Sequence, residues 1–266
     1  MSDKIKIFCV TDKSLPNLES TFLKLAAVGK KNFNKNYIDC STKINIYHKE
    51  KFYSELTFHY WYWKNLLENE NSEWVGFCQK RRFWTQNLEN TVIINKDNYL
   101  DYLLESPHKD WDNKDAIICE PIKVSGAKKI KIIKRGFRNI IKEPSLLWKK
   151  DAETLKIHFD MHHGFGNLDK AISFLDDNDR DEFRVYVNTK KKYNPHLMFI
   201  ARPHVIDKWF STLFIWLEKC EQTFGFEDLR GYDTTRIYAF LAERYQSFWF
   251  KKYCKYKTNS WVFIDN

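Results

Sequence analysis

The sequence has no G-x-G-x-x-G and no G-x-x-x-x-G-K-[ST] loop, so neither a dinucleotide-binding fingerprint nor a P-loop phosphate cradle is present. Its six cysteines, Cys9, Cys40, Cys78, Cys119, Cys220 and Cys254, lie far apart without a C-x-x-C pair. That spacing suggests neither a zinc site nor a disulfide framework. Reduced thiols in a cytoplasmic protein are the simplest expectation. No stretch approaches the roughly 18 apolar residues that a membrane span needs. Met1 to Val10 is charged and then strand-like, without the apolar core of a signal peptide. RNP, KH and zinc signatures of nucleic-acid modules are missing too. What the 266 residues do contain is an ordinary globular balance of 43% hydrophobic and 30% charged residues, with a high 17% of aromatics and a net charge of +9. Rings in excess suit a carbohydrate or nucleotide binder, and suit a heavy core equally. The charge bears on partners: anionic nucleotides, anionic membrane surfaces and nucleic acids all fit it.

The densest stretch is Tyr53 to Phe83, YSELTFHYWYWKNLLENENSEWVGFCQKRRF. Ser54 suits a helix N-cap, because its hydroxyl can take up orphan amides of the first turn. Glu55, Thr57, Tyr60, Trp63 and Lys64 then recur at three- and four-residue spacing and share one side of that helix. Such a side is a binding surface, or a helix whose rings are core and whose polar groups are solvated. Glu73 to Cys78 has strand length, and Gln79-Lys80-Arg81-Arg82 stands at its carboxyl end. Ligands of open α/β sheets sit just beyond the carboxyl ends of strands. Guanidinium donors match phosphate oxygens bidentately, so consecutive cations at this place predict an anion site.

Along the rest of the chain, Lys4 to Val10 reads as a first strand ending at Thr11-Asp12. Lys30 to Lys51 reads as loop, Asp97 to Ser106 as a short helix, and Asp115 to Cys119 as a buried strand closed by Glu120-Pro121. Lys128 to Lys142, KKIKIIKRGFRNIIK, is basic and amphipathic. It suits an anionic bilayer surface, or a solvated basic loop or nucleotide lid. His158 and His162 at i, i+4 have metal-ligand spacing without an evident third ligand, and helix capping or a sugar pocket accounts for them as well. Leu168 to Leu175 reads as helix, Arg184 to Val187 as strand, and Tyr193 to Ile200 as a turn entering a strand. Val205 to Glu221 and Arg236 to Trp249 are amphipathic helices. The tail Phe248 to Lys257 mixes rings with lysines, which fits a lipid interface or a cap on the core.

Taken in order, these segments resemble a family of bacterial capsule and lipopolysaccharide glycosyltransferases catalogued as domain of unknown function 4422. SELTFHYWYWKN followed by VGFCQKRRF is similar to the family's SELT-x-x-YW-x-WKN phrase and its strand ending in HYRR. His162-His163 through Leu168-Asp169 is similar to its HH…DLD segment, and Met198-Phe199-Ile200 to its NMFI strand. Trp209 to Glu218 and Arg236 through Arg244 are similar to its WLF…LE helix and R…FL-x-ER motif. Where the family carries an asparagine before the methionine, Leu197 stands in this chain, with Asn194 and His196 as the nearby polar residues.

The resemblance implies an α/β, Rossmann-like nucleotide-sugar transferase fold of GT-A type, with a mostly parallel central sheet flanked by helices. It implies a single domain over residues 1–266, of which 1–125 form the nucleotide-sugar half and 126–266 the acceptor-side and C-terminal helical half. The implied function is hexose transfer from a nucleotide-sugar donor, UDP-linked and galactofuranosyl in characterised relatives, to a glycan or lipid-linked acceptor. Donor and diphosphate binding then fall to Thr11, Glu55, Thr57, Tyr60, Lys64, Lys80, Arg81 and Arg82. Asp169 is the first candidate for the base, with Glu243 second and His163 beside them. His162, Asn194, His196 and Arg244 are candidates for the acceptor or sugar. Related enzymes hold a divalent metal with a DxD motif, but the corresponding place carries Cys78-Gln79-Lys80-Arg81-Arg82 without a carboxylate, so no metal cofactor is expected there. The expected location is the cytoplasm, at the inner face of the membrane, with no nucleic-acid partner. A catalytically inactive scaffold and a nucleic-acid-binding protein are the alternatives.

Overall fold

The computed structural model describes residues 4–29, 32–86, 92–124, 141 and 152–265. From the N-terminus come β1 (Ile5–Thr11), β2 (Lys24–Ala27), β3 (Ile38–Asp39), α1 (Glu50–Tyr53), α2 (Leu56–Asn65), β4 (Trp74–Gln79), β5 (Arg82–Trp84) and β6 (Ala116–Cys119). There follow β7 (Ile122–Lys123), α3 (Leu155–His163), α4 (Asn167–Ile172), α5 (Asp177–Thr189) and β8 (Lys192–Tyr193). The chain ends with β9 (Phe199–Ala201), α6 (Pro203–Phe224), α7 (Tyr232–Thr235), α8 (Ile237–Tyr253), β10 (Tyr256–Asn259) and β11 (Trp261–Phe263). It divides into two compact units. The first comprises Met1–Glu120, His196–Thr212 and Trp249–Asn266; the second comprises Pro121–Pro195 and Leu213–Phe248. The basic stretch at 128–142 lies outside the described residues apart from Ile141.

The first unit is a mixed α/β structure around a mostly parallel sheet in the order β10-β6-β9-β4-β1-β2-β3, with β5 and β11 attached beside β4. β9 is antiparallel to both β4 and β6, and β5 is antiparallel to β4 and β11. β4 is buried along its whole length because it has partners on both sides and cover on both faces. Side chains alternate between those faces. Phe8 and Phe77 meet Phe58, Tyr62 and His59 of α2 at ring separations of 4.6–6.3 Å. Ile7, Cys9, Trp74 and Cys78 join the opposite layer with Leu15, Leu18, Trp111 and Ile200. Gly76 is required by close approach: a Cβ there would stand 2.8 Å from Ile200 Cγ1.

Three sequence expectations give way in the structure. Ser54 is not the N-cap of α2; at φ 52° it ends α1, and the chain restarts at Leu56. Arg184 to Val187 is not a strand but part of α5. The helix buries Phe183 and Val187 and leaves Val185 62% exposed, whereas a strand would place 185 and 187 on one face. Ion pairs Asp177–Arg180 and Asp181–Arg184 at i, i+3, with Asp177 and Asp179 in the first turn, favour the helix further. The helix expected over Asp97 to Ser106 shortens to a 3-10 turn at Tyr99–Tyr102. Of the tail, Phe248, Trp249 and Phe250 are buried within α8, and Tyr256–Asn259 is the sheet strand β10.

The second unit is mostly helical. α3 begins at Thr154, whose hydroxyl accepts the Ile157 N–H at 3.3 Å. Trp216 ties α6 to this bundle by donating to the Ala171 carbonyl at 2.7 Å, and Phe183 packs on Tyr245 and Phe248 of α8. β7 and β8 form a small antiparallel ribbon.

Candidate functional site

The chain leaves β1 for β2 and β3 on one side, then crosses back to β4 on the other side of β1. The carboxyl ends of β1 and β4 therefore flank a topological switch point, the place where open α/β sheets bind ligands. Val10 pairs with Gln79 in register, and the Lys80 N–H donates to the Val10 carbonyl at 3.1 Å. Lys80 and Arg81 are then the turn residues of a hairpin, with Arg82 opposite Gln79. Neither turn residue has a positive φ. A turn of that kind lets the strands splay rather than follow their natural twist. Accordingly β5 pairs with β4 only at Gln79–Arg82 and takes β11 as its main partner.

The hairpin presents Lys80, Arg81 and Arg82, each half-buried. Lys80 forms an ion pair with Asp12. Arg82 Nη1 donates to Gln79 Oε1 at 3.2 Å, while Gln79 Nε2 donates to the His196 carbonyl at 2.5 Å. His196 and Leu197 both adopt positive φ, at 77° and 52°, on entry to β9. The His196 ring meets the edge of Trp261 at 4.7 Å. Arg81 Nη1 reaches Asp265 at 3.2 Å, and both guanidiniums stand beside the Phe263 ring. The arrangement sets two guanidiniums beside one ring, next to Lys80 in the chain, and cationic donors of this kind can hold an oxyanion.

Among the other donor-side candidates, Thr11 sits at the right end of β1 but is buried, and its hydroxyl closes the loop onto Lys13. Glu55 begins α2. Thr57 is fully buried, with Oγ1 lacking a hydrogen-bond partner among the described residues. α2 runs back along the sheet: Tyr62 donates to Glu70 at 3.2 Å, and Glu70 pairs with Lys6 at 2.8 Å near the amino ends of β1 and β4. Lys64, beyond Tyr62, is thus placed away from the cationic hairpin, its ammonium 3.3 Å from the Trp63 ring centroid. Tyr60 packs edge-on against Trp63 on the same outer side. Asp12, Gln79, Trp261, Phe263 and Asp265 also surround the candidate site, and sequence reasoning assigned none of them a role. Two of them carry a sequence signal, Asp12 as the polar residue ending the first strand and Gln79 as the residue that leads into the cations.

In the second unit, Lys156 bridges Asp160 and Asp169 at 2.8 and 2.9 Å. The Asp160 carboxyl is fully buried, and burial lifts it above its usual range against the pull of Lys156. Asp169 is the more exposed partner, 46% accessible at its side chain. Glu243 pairs with the buried Arg244 at 2.6 Å, and Arg244 lies 3.8 Å from the Tyr193 ring centroid. Arg244 Nη2 is 3.2 Å from His158 Nδ1. A guanidinium only donates, so that nitrogen accepts and His158 carries its hydrogen on Nε2. His162 stacks on His158 at 4.5 Å. The pair His158/His162 is thus gathered with Arg244 and Glu243. His163 instead points to the Asp233 carbonyl at 2.8 Å and stacks on Phe240 at 3.9 Å. Burial, reinforced by the Arg244 charge, pushes its pKa down to about 3, so it is neutral at pH 7. Asn194 is fully buried, its side-chain oxygen accepting from Ser247 at 2.8 Å. Asp177-Asn178-Asp179 has the DxD pattern but forms the first turn of α5, where Asp179 accepts from the Tyr245 hydroxyl. Among the described residues, no group of three or more His, Cys, Asp or Glu side chains is gathered to hold a metal.

The first unit is thus an α/β fold whose mostly parallel sheet carries a cationic hairpin at its switch point. Residues 6–255 match the family model described as a domain of unknown function (DUF4422), and the chain belongs to that family. Its fold is similar to a solved structure titled "WbbM bifunctional glycosytransferase apo structure", with a TM-score of 0.73 and 19% identity over 99% of this chain. The chain spans about half the length of that one, 46%. No curated protein matches the chain.

Proposed function

We propose that the protein is a glycosyltransferase that moves a hexose from a nucleotide-sugar donor to a glycan or lipid-linked acceptor. The observation that carries this is the placement of Lys80, Arg81 and Arg82 at the switch point of β1 and β4, where a diphosphate would meet convergent cations. The fold shared with a chain titled a bifunctional glycosyltransferase supports it. In transfer, a bond forms between the acceptor oxygen and the anomeric carbon as the bond from that carbon to the diphosphate breaks. Arg81 and Arg82 stabilise the charge that develops on the departing diphosphate, in the manner of an oxyanion clamp. A carboxylate takes the acceptor's proton, and Asp169 is assigned that role ahead of Glu243. UDP and galactofuranose are the donor components favoured by the family resemblance, with no metal needed at the hairpin. Membrane contact in this proposal is peripheral; no helix among the described residues is long and apolar enough to cross a membrane.

The test is a thermal-shift titration with UDP, UDP-galactose, UDP-galactofuranose and GDP-sugars, each with Mn²⁺ and with EDTA, since a ligand bound by the native state raises the melting point. A shift with one nucleotide that survives EDTA is the expected result. A shift that requires Mn²⁺ moves the diphosphate to another place, and no shift at all removes the donor assignment. One observation favours an inactive scaffold instead: both candidate bases are held in ion pairs, Asp169 with Lys156 and Glu243 with Arg244. Donor binding without transfer or hydrolysis would mark that case.

A further inference from the structure

The C-terminal strand builds one wall of the cationic hairpin. Phe263 of β11 lies opposite Arg82 in register, and the Ile264 N–H donates to the Arg81 carbonyl at 2.9 Å. The Phe263 ring is 48% exposed, yet both neighbouring guanidiniums stand beside it, Arg81 at 5.4 Å and Arg82 at 5.3 Å from its centroid. Arg81 belongs to the turn and Arg82 to the strand that follows it, so no shared strand face aligns the two side chains, and two like charges repel. A ring face that attracts each guanidinium counters that repulsion. Asp265, 72% accessible at its side chain, places its carboxylate 3.2 Å from Arg81 Nη1. That oxygen stands where an anionic ligand oxygen would meet the same donor. Trp261 to Asp265 lie outside the residues matched to the family, which end at 255.

We propose that Phe263 is a positioning residue that gathers Arg81 and Arg82 toward one diphosphate, and that Asp265 holds Arg81 in place until a phosphate oxygen replaces it. The inference rests on the donor site proposed above.

The experiment is isothermal titration of the full chain with UDP and with inorganic pyrophosphate at low ionic strength, comparing wild type with Phe263→Leu, Phe263→Tyr and Asp265→Asn. Phe263→Leu keeps an apolar side chain but removes the π face, and is expected to weaken both ligands about 10-fold. Phe263→Tyr restores the face and should bind within about 2-fold of wild type, a rescue that plain strand packing would not distinguish from leucine. Asp265→Asn should tighten both ligands about 2- to 5-fold, because a screened surface pair no longer competes. Equal affinity of Phe263→Leu and wild type overturns the positioning role, as does failure of the tyrosine rescue. Loss of UDP affinity with unchanged pyrophosphate affinity means that the ring stacks on the base, which also overturns it. Unchanged or weaker binding by Asp265→Asn overturns the placeholder role. If wild type binds neither ligand, the donor site itself is lost and this inference with it.

Discussion

Asp12, just past β1, forms an ion pair with Lys80, just past β4, across the strand pair that flanks the switch point. Both side chains are partly accessible, 41% and 28%, so the pair adds little to stability, on the order of 0–1 kcal/mol. Its effect falls on the charge presented to a ligand. Asp12→Asn should leave the denaturation midpoint nearly unchanged and raise pyrophosphate affinity about 2- to 5-fold at low salt, with the gain shrinking as salt screens it. Calorimetry at two ionic strengths checks this, and equal affinities at low salt would show that Lys80 does not face the ligand.

Replacing Arg81 and Arg82 together by alanine should reduce transfer by at least about 100-fold, the scale of losing one preorganised donor to a developing oxyanion. Both side chains are half-buried at a turn rather than in the core. The double variant should therefore melt close to wild type. Turnover at the wild-type rate in a folded double variant would sink the clamp.

Much of this was legible because local pattern and tertiary role coincide. Glu73 to Cys78 and Asp115 to Cys119 read as strands because short apolar runs carry no competing period, and the structure places β4 and β6 there with partners on both sides. The cations after Gln79 are contiguous in sequence, so their meeting at one strand end followed from the strand alone. By contrast, Phe263 and Asp265 reach Arg81 and Arg82 through a strand pairing between distant parts of the chain, which leaves no local signal. Val185 misled through β-branched neighbours, although acidic residues in the first turn and the Phe183/Val187 spacing favoured a helix. Ser54 looked like a cap because propensity does not register a backbone forced to φ 52°.

Gly76→Ala probes the close approach of β4 to β9. The added methyl would meet Ile200 Cγ1 at 2.8 Å and Ile7 Cγ1 at 3.3 Å, neither of which is the loose end of a flexible chain. Overpacking of this kind costs about 1–3 kcal/mol. Urea denaturation should show a lower midpoint with an unchanged slope. A midpoint equal to wild type would mean that the sheet yields at this position without cost.

Acid should destabilise the fold through buried neutral histidines. Burial pushes His59 down to about 3, and burial with the Arg244 charge does the same to His163. An unfolded histidine titrates near 6.5. Above about pH 6.5 neither state binds the proton, and the full stability is present. As pH falls from there toward 3, the unfolded chain takes up protons that the native side chains refuse, so stability is lost. Each histidine should cost about 2 kcal/mol between pH 7 and pH 5 by this linkage. His59 is packed among Phe77, Phe199 and Phe210, so His59→Leu preserves an apolar site while removing one titration. Chemical denaturation of wild type and His59→Leu at pH 7, 6 and 5 should show the variant losing about 2 kcal/mol less over that range. Parallel pH profiles for the two proteins would show that His59 is protonated in the native state and is not a source of the acid sensitivity.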